Sequence, residues 1–156
     1  MNIKKVIKII LVILWMVVIF NFSAQNSTES LDTSNKVIVD TAEVIKNRPL
    51  STEEKITLID KYKVIVRKFA HFFLYFILAI IVYFCLRDYY PLNIKIVIFT
   101  VLICAIYACS DEVHQLFISG RTARFFDIFI DSCGALLSTM LLFTIDNFIK
   151  NKIKKV

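Results

Sequence analysis

The residues best suited to chemistry are histidines and carboxylates that stand within otherwise apolar stretches of the sequence. In one stretch, Arg67, His71 and Tyr75 are spaced four residues apart, so they share one face of a helix. In another, Asp111 and His114 lie near the end of an apolar run. Imidazole and carboxylate side chains can exchange protons or bind polar ligands. These stretches therefore contain the candidate functional groups.

A third stretch opens with Asp127 and continues to Asp131, four residues on and on the same helix face as Gly134 and Ser138. Such a small and polar face suits close packing inside a helix bundle. Asp127 could have a purely structural role, because a negative charge near a helix N-terminus interacts favourably with the helix dipole. Asp131 lies a turn deeper, and a charge at the centre of a membrane helix costs about 2.5–3.5 kcal/mol. It therefore needs a partner within the bundle.

The candidate binding residues are polar side chains near the ends of these three stretches. They are Arg67, Lys68, His71, Tyr75, Ser110, Asp111, Glu112, His114, Gln115, Arg121, Asp127 and Asp131. The histidines and carboxylates lack a metal-binding spacing such as HExxH, and no GxSxG motif or activated cysteine occurs. The four cysteines lie in apolar stretches and are expected to act as small hydrophobic residues. No cofactor or metal is predicted, and an enzyme is not the favoured interpretation.

The elements that must position these residues are predicted to be membrane helices. Of the 156 residues, 58% are hydrophobic, and the mean hydropathy is +0.69. Only two Gly and two Pro occur, too few for the turns of a β-rich fold. The apolar residues fall in blocks long enough to cross a bilayer. We predict an all-α, polytopic membrane protein whose four transmembrane helices lie at about 6–22, 66–86, 94–114 and 125–145.

A long polar segment, 23–63, separates the first two spans. The apolar residues Leu31, Ile38, Ala42 and Ile45 recur at near-helical spacing. They predict a short amphipathic helix that ends at Pro49. After it, Ser51-Thr52-Glu53-Glu54 has the pattern of a capping box. A helix that starts there is expected to run unbroken into the second apolar block.

The first apolar block could also be a signal peptide, because lysines precede it. Bulky Phe22 stands where a small residue is wanted before cleavage. We therefore predict a retained helix.

The distribution of positive charge predicts the orientation of the chain. The densest lysine clusters lie at the two termini and flank apolar blocks, as in proteins anchored at the cytoplasmic face. This pattern favours membrane lipids as partners and argues against nucleic acid. It predicts that both termini are cytoplasmic and that segment 23–63 is extracytoplasmic. The polar ends of helices one to four would then meet at the outer surface, which suggests a single polar cavity there.

At these residues the chain resembles the VanZ-like family of small bacterial membrane proteins. The matching stretches are Ser23-Ala24-Gln25 with the preceding Phe22, Arg67-Lys68-Phe69-Ala70-His71-Phe72 with Tyr75, Ser110-Asp111-Glu112-Val113-His114-Gln115-Leu116-Phe117, Gly120-Arg121, and Asp127 with Asp131 and Gly134. The family usually has a second Ser where this chain has Ala24. The resemblance implies one membrane domain over 1–156, located in the bacterial cell membrane. It also implies an association with reduced susceptibility to teicoplanin-like lipoglycopeptides, and it supplies no established reaction.

Three functional hypotheses remain open. In the first, the outer cavity binds or modifies a lipid-linked cell-wall precursor or the lipoglycopeptide itself, with Arg67, Lys68, Arg121 and Arg124 attracting its phosphate or carboxylate. In the second, the same groups form a membrane enzyme with acid-base or metal chemistry. In the third, Arg67 and His71 pair with Asp127 and Asp131 only to lock helices together.

Overall fold

The structure, a computed structural model, describes residues 2–25, 27–118 and 124–153, and within these it is all-helical. Five helices follow one another: α1 Ile3–Ser23, α2 Ser27–Lys46, α3 Thr52–Leu86, α4 Ile94–Gln115 and α5 Phe125–Ile153. Four of them, α1, α3, α4 and α5, are long and apolar enough to cross a membrane. The all-α, four-span architecture is therefore confirmed, and the protein is a multi-pass membrane protein.

The helix α3 is much longer than a membrane span requires. Its 35 residues extend about 52 Å at 1.5 Å per residue, against a hydrocarbon core about 30 Å thick. The sequence between Thr52 and Leu86 contains neither Gly nor Pro, so nothing interrupts the backbone ladder. The N-terminal part of α3 thus stands outside the span predicted at 66–86.

The turn between α2 and α3 is built by the predicted capping box. The Glu54 amide donates to Ser51 Oγ at 3.3 Å, and the Ser51 amide donates to Glu54 Oε2 at 3.0 Å. Asn47, at the end of α2, adopts a positive φ of 49°, which asparagine tolerates better than most residues at a helix C-terminus. These contacts reverse the chain and define an α2–α3 hairpin.

The helix α2 packs against α3 and has one buried face. Ser30, Ser34 and Ile38 are buried at four-residue spacing, which places them on one face of the helix. The predicted helix is confirmed, although it begins earlier than the pattern suggested. Its buried face carries two serines beside Ile38, and Ile45, which the pattern placed on that face, is exposed.

The centre of the bundle lies along α3. Tyr75, Leu78, Ala79 and Val82 are buried there with successive spacings of three, one and three residues, so they form one apolar stripe. Gly134 on α5 lies against the backbone of Phe72, where an added Cβ would overlap the carbonyl oxygen. The absent side chain lets α3 and α5 pack closely.

Hydrogen bonds near the middle of the first span join it to the other helices. Trp15 Nε1 donates to the Leu74 carbonyl at 3.0 Å, and Tyr107 OH donates to the Met16 carbonyl at 2.6 Å. Both bonds are partly buried, so α1 is an integral part of the packing.

Charged side chains close the end of the bundle that carries the chain termini, here called the terminal end. Lys8 pairs with Asp88 at 2.8 Å. Asp146 accepts from Arg87 Nε at 2.9 Å and from Tyr83 OH at 2.8 Å. These bonds tie the start of α1 and the ends of α3 and α5 together. The opposite end, next to the α2–α3 hairpin, is called the hairpin end.

Candidate functional site

The polar ends of α1 and α4 meet at the hairpin end around Gln115. Gln115 Nε2 donates to Ser23 Oγ at 2.9 Å and to Asp111 Oδ2 at 3.2 Å. All three side chains are buried. Since Ser23 ends α1 and Gln115 ends α4, the amide of Gln115 bridges two helices.

Two acid-base pairs link α3 to α5 beside this bridge. Lys68 Nζ lies 2.8 Å from Asp127 Oδ1, and His71 Nδ1 lies 3.9 Å from Asp131 Oδ2. The pairing hypothesis placed Arg67 against Asp127, and this is wrong: Lys68, the next residue, forms the ion pair. A helix turns by about 100° per residue, and this rotation points Lys68 rather than Arg67 at Asp127.

A narrow cleft opens between the two pairs. It is lined by Arg67, Lys68, His71, Asp127, Ile130 and Asp131. Its free volume is about 10 Å³, which is room for about one water molecule. The cleft therefore exposes polar groups to a small molecule or to part of a larger one, and it does not enclose a whole headgroup.

Glu112 is held by the start of α5. The Arg124 amide donates to Glu112 Oε2 at 2.8 Å, and the Glu112 side chain is buried. A carboxylate is stabilised at a helix N-terminus, where free amides and the helix dipole meet it. Glu112 thus joins the ends of α4 and α5.

Several buried acceptors at this end have no hydrogen-bond partner among the described residues. They include Tyr75 OH, Gln115 Oε1 and both carboxylate oxygens of Asp131. The separation of 3.9 Å between His71 and Asp131 is too long for a hydrogen bond. Buried polar atoms are normally satisfied, because leaving them unpaired costs free energy. Such a concentration of unused polar atoms is typical of a site that binds water or a ligand.

Other predicted residues lie at the edge of this cluster or away from it. The His114 ring packs against Phe20 with centroids 4.3 Å apart. Ser110 is exposed and donates to the Tyr107 carbonyl of its own helix at 2.7 Å, so it does not point into the cluster. Arg121, with Gly120, lies outside the described residues.

The arrangement offers groups for proton exchange and hydrogen bonding. Within 2–25, 27–118 and 124–153, no group of three or more His, Cys, Asp or Glu side chains is placed to hold a metal ion. His71 and Asp131 could share a proton with a molecule in the cleft.

The sequence did not point to every residue of the site. Ser23 was noted only within a matching stretch, and its bond to Gln115 joins residues 92 positions apart. The Arg124 amide was missed because a backbone donor leaves no signal in side-chain patterns. Away from the site, the terminal-end cluster of Arg87, Asp146 and Tyr83 was also missed, although the i, i+4 spacing of Tyr83 and the C-cap residue Arg87 was a usable signal.

Comparison with known protein families gives a match over most of the chain. A family model described as VanZ/LLP1 matches residues 8–146, nearly the whole chain. No curated protein and no solved structure matches the chain.

Proposed function

The chain belongs to the VanZ/LLP1 family, and we propose that it is a cell-envelope protein that binds a polar headgroup at the hairpin end of its bundle. The headgroup belongs to a lipid-linked cell-wall precursor or to a teicoplanin-like lipoglycopeptide. Family membership supports an association with antibiotic resistance; the ligand is the new part of the proposal.

The proposal rests on the buried polar atoms without a hydrogen-bond partner, which in the described part of the chain concentrate at the hairpin end. Asp131 and Gln115 are buried with acceptor oxygens that no described residue satisfies. At the terminal end, by contrast, Asp146 accepts two close hydrogen bonds. A purely structural cluster is expected to resemble the terminal end, since leaving buried acceptors unpaired destabilises the fold.

In this proposal, the cleft supplies the groups that recognise the headgroup. Arg67 lies on its wall beside His71 and Asp131. A guanidinium binds phosphate or carboxylate with two parallel hydrogen bonds. Hydroxyl or amine donors of the ligand, or a water between them, reach Asp131. Because the cleft has room for about one water molecule, the headgroup rests over its mouth.

Lys68 has a different role from Arg67. Its ammonium pairs with Asp127 and lies 4.5 Å from the centre of the Phe126 ring. These contacts fix the rim of the cleft and leave Arg67 as the main anion-binding group on α3.

An envelope-modifying enzyme is the second candidate, and the His71–Asp131 pair favours it. A histidine beside a carboxylate, with room for one water, is the arrangement of a general base. The same cleft residues would act on the bound headgroup.

The proposal includes an orientation. The hairpin end faces outward in the bacterial cell membrane, and both termini are cytoplasmic. The lysines near the terminal end support this, because positive charge favours the cytoplasmic side.

The test compares two substitutions of the same kind on one helix. Asp131→Asn alters the cleft, whereas Asp146→Asn alters the terminal end. Each protein is purified in native lipid, and the co-purifying envelope lipids are identified by mass spectrometry. Teicoplanin susceptibility of cells is measured in parallel. We expect Asp131→Asn and His71→Ala to lose a co-purifying species and the resistance effect, while Asp146→Asn keeps both. Normal insertion of the cleft variants with unchanged lipids and unchanged susceptibility would overturn the proposal.

A further inference from the structure

An apolar groove runs along the α2–α3 hairpin, on a different surface from the polar cleft. Its upper stretch lies between Ile45 and Leu58, and its lower stretch reaches Phe73. Val37 and Val66 line both stretches, so the groove is continuous. Its lining is almost entirely apolar, with Lys46 as the one charged residue among those that line it.

The sequence explains why the groove stays open. Thr41 and Ala42 of α2 face Leu58 and Tyr62 of α3 along the upper stretch. Ala70 lines the lower one. The short side chains of Thr41, Ala42 and Ala70 leave space between the two packed helices. Longer side chains at these positions would interdigitate and fill it.

The lower end of the groove opens into the bilayer. Phe69 and Phe73 lie within the apolar part of α3 and are 66% and 51% exposed. The upper end lies on the part of α3 that exceeds the length of a span. The groove therefore joins the lipid-facing surface of the bundle to a surface outside the membrane.

The width of the groove selects its occupant. Its two stretches hold about 340 and 330 Å³ along about 22 Å of helix axis, a mean cross-section of about 30 Å². A helix with side chains is about 10–12 Å across, which is wider than a channel of this mean cross-section. An extended hydrocarbon chain fits within it.

We propose that the α2–α3 groove binds a single hydrocarbon chain of a lipid from the adjoining membrane leaflet, drawn up from the bilayer between Phe73 and Leu58. Covering the groove removes exposed apolar surface from water, which is the driving force. The proposal rests on groove residues alone and does not depend on headgroup binding at the cleft.

The test uses the full chain in vesicles of phosphatidylglycerol and phosphatidylethanolamine. A small fraction of the phosphatidylglycerol carries a diazirine at the end of one acyl chain. After irradiation and digestion, mass spectrometry locates the adducts. We expect adducts on the hairpin, within 37–46 and 58–66, in addition to those on the lipid-facing spans. Adducts confined to the spans would overturn the proposal.

A pair of matched variants tests the groove itself. Val37→Trp fills the junction of the two stretches, whereas Val44→Trp places the same side chain on an 80% exposed position of α2 that does not line the groove. We expect Val37→Trp to lower the hairpin adducts severalfold and to keep those on the spans, which also reports that the protein is folded. Val44→Trp should change neither. An equal loss in both variants contradicts the proposal.

Two further measurements distinguish hydrocarbon binding in the groove from headgroup binding at the cleft and from pairing of two copies of the chain. Asp131→Asn should leave the hairpin adducts unchanged. Loss of headgroup binding at the cleft is thereby distinguished from loss of hydrocarbon binding in the groove. If a second copy of the chain covers the groove, Val37→Cys proteins form a disulfide with each other in the vesicles, and the hydrocarbon proposal is wrong.

Discussion

At the scale of single residues, the hairpin end combines two kinds of polar contact. Lys68 and Asp127 form a close ion pair that is partly exposed. His71 and Asp131 are deeper and farther apart, with Asp131 almost completely buried. The first pair has the geometry of a structural ion pair that joins α3 to α5. In the second pair, the carboxylate oxygens of Asp131 have no hydrogen-bond partner among the described residues, so the two pairs should respond differently to mutation.

The Lys68–Asp127 pair gives a prediction for a double-mutant cycle. Lys68→Met, Asp127→Asn and the double variant are compared with the parent by thermal unfolding in detergent. Because the pair is partly exposed, we expect a coupling free energy of about 1 kcal/mol or less. Resistance should follow stability in this set. A double variant that regains stability but not resistance would show that Lys68 contacts the ligand directly.

The Gln115 bridge gives a second prediction at this scale. Gln115→Met keeps the length of the side chain but removes the donor to Ser23 and Asp111. Ser23 and Asp111 would then lack this buried hydrogen-bond donor, which should lower the free energy of unfolding by about 1–3 kcal/mol. The measurement is the thermal midpoint, with Val113→Met, an exposed position on the same helix, as the control. Equal midpoints for the two variants would contradict the bridge.

At the scale of elements, the packing of α3 on α5 depends on Gly134. Helix propensity alone predicts that Gly134→Ala stabilises α5 by about 1 kcal/mol. The structure predicts the opposite sign, because the added Cβ would overlap the Phe72 carbonyl oxygen and force the helices apart at a cost of about 1–3 kcal/mol. Thermal unfolding decides between them, with half-buried Cys133→Ala as a neighbouring control. A stabilised Gly134→Ala protein would mean that the helices are not this close.

The α2–α3 turn should depend on pH through Glu43. The Leu50 amide and Lys55 lower the pKa of Glu43 from its ordinary value of 4.5. A carboxyl whose pKa is lower in the folded state stabilises that state above its unfolded pKa and loses this contribution as pH falls. The hairpin should therefore be steady near neutral pH and loosen as pH drops below about 4.5. Limited proteolysis of the turn at pH 7 and pH 4 measures this effect.

The control for this prediction is Glu43→Gln, which cannot titrate. Its turn should be cleaved more readily than that of the parent at neutral pH, and its cleavage should change little on acidification. If acid exposes the turn equally in both proteins, another group is responsible.

At the scale of the whole molecule, the sequence predicted the architecture well because membrane helices are encoded locally. A run of apolar residues is enough to predict a membrane span. The capping box of Ser51 and Glu54 predicts the start of a helix from four residues. The common end for the polar stretches followed from counting spans. The specific partners did not follow. Whether Arg67 or Lys68 meets Asp127 depends on the rotation of α3 against α5, which the close approach at Gly134 sets and no local pattern records.

The orientation of the molecule in the membrane gives the last prediction. In a variant whose four native cysteines are replaced by serine or alanine, a single cysteine is introduced at Val44 or at Ile153. Both positions are highly exposed, and they lie on the hairpin and at the terminal end respectively. The lysines at the terminal end favour the cytoplasmic side, so an impermeant maleimide added to intact cells should label Val44→Cys and not Ile153→Cys. Ile153→Cys should become reactive only after the membrane is opened. The reverse labelling would place the polar cleft inside the cell, where it could not meet a lipoglycopeptide arriving from outside.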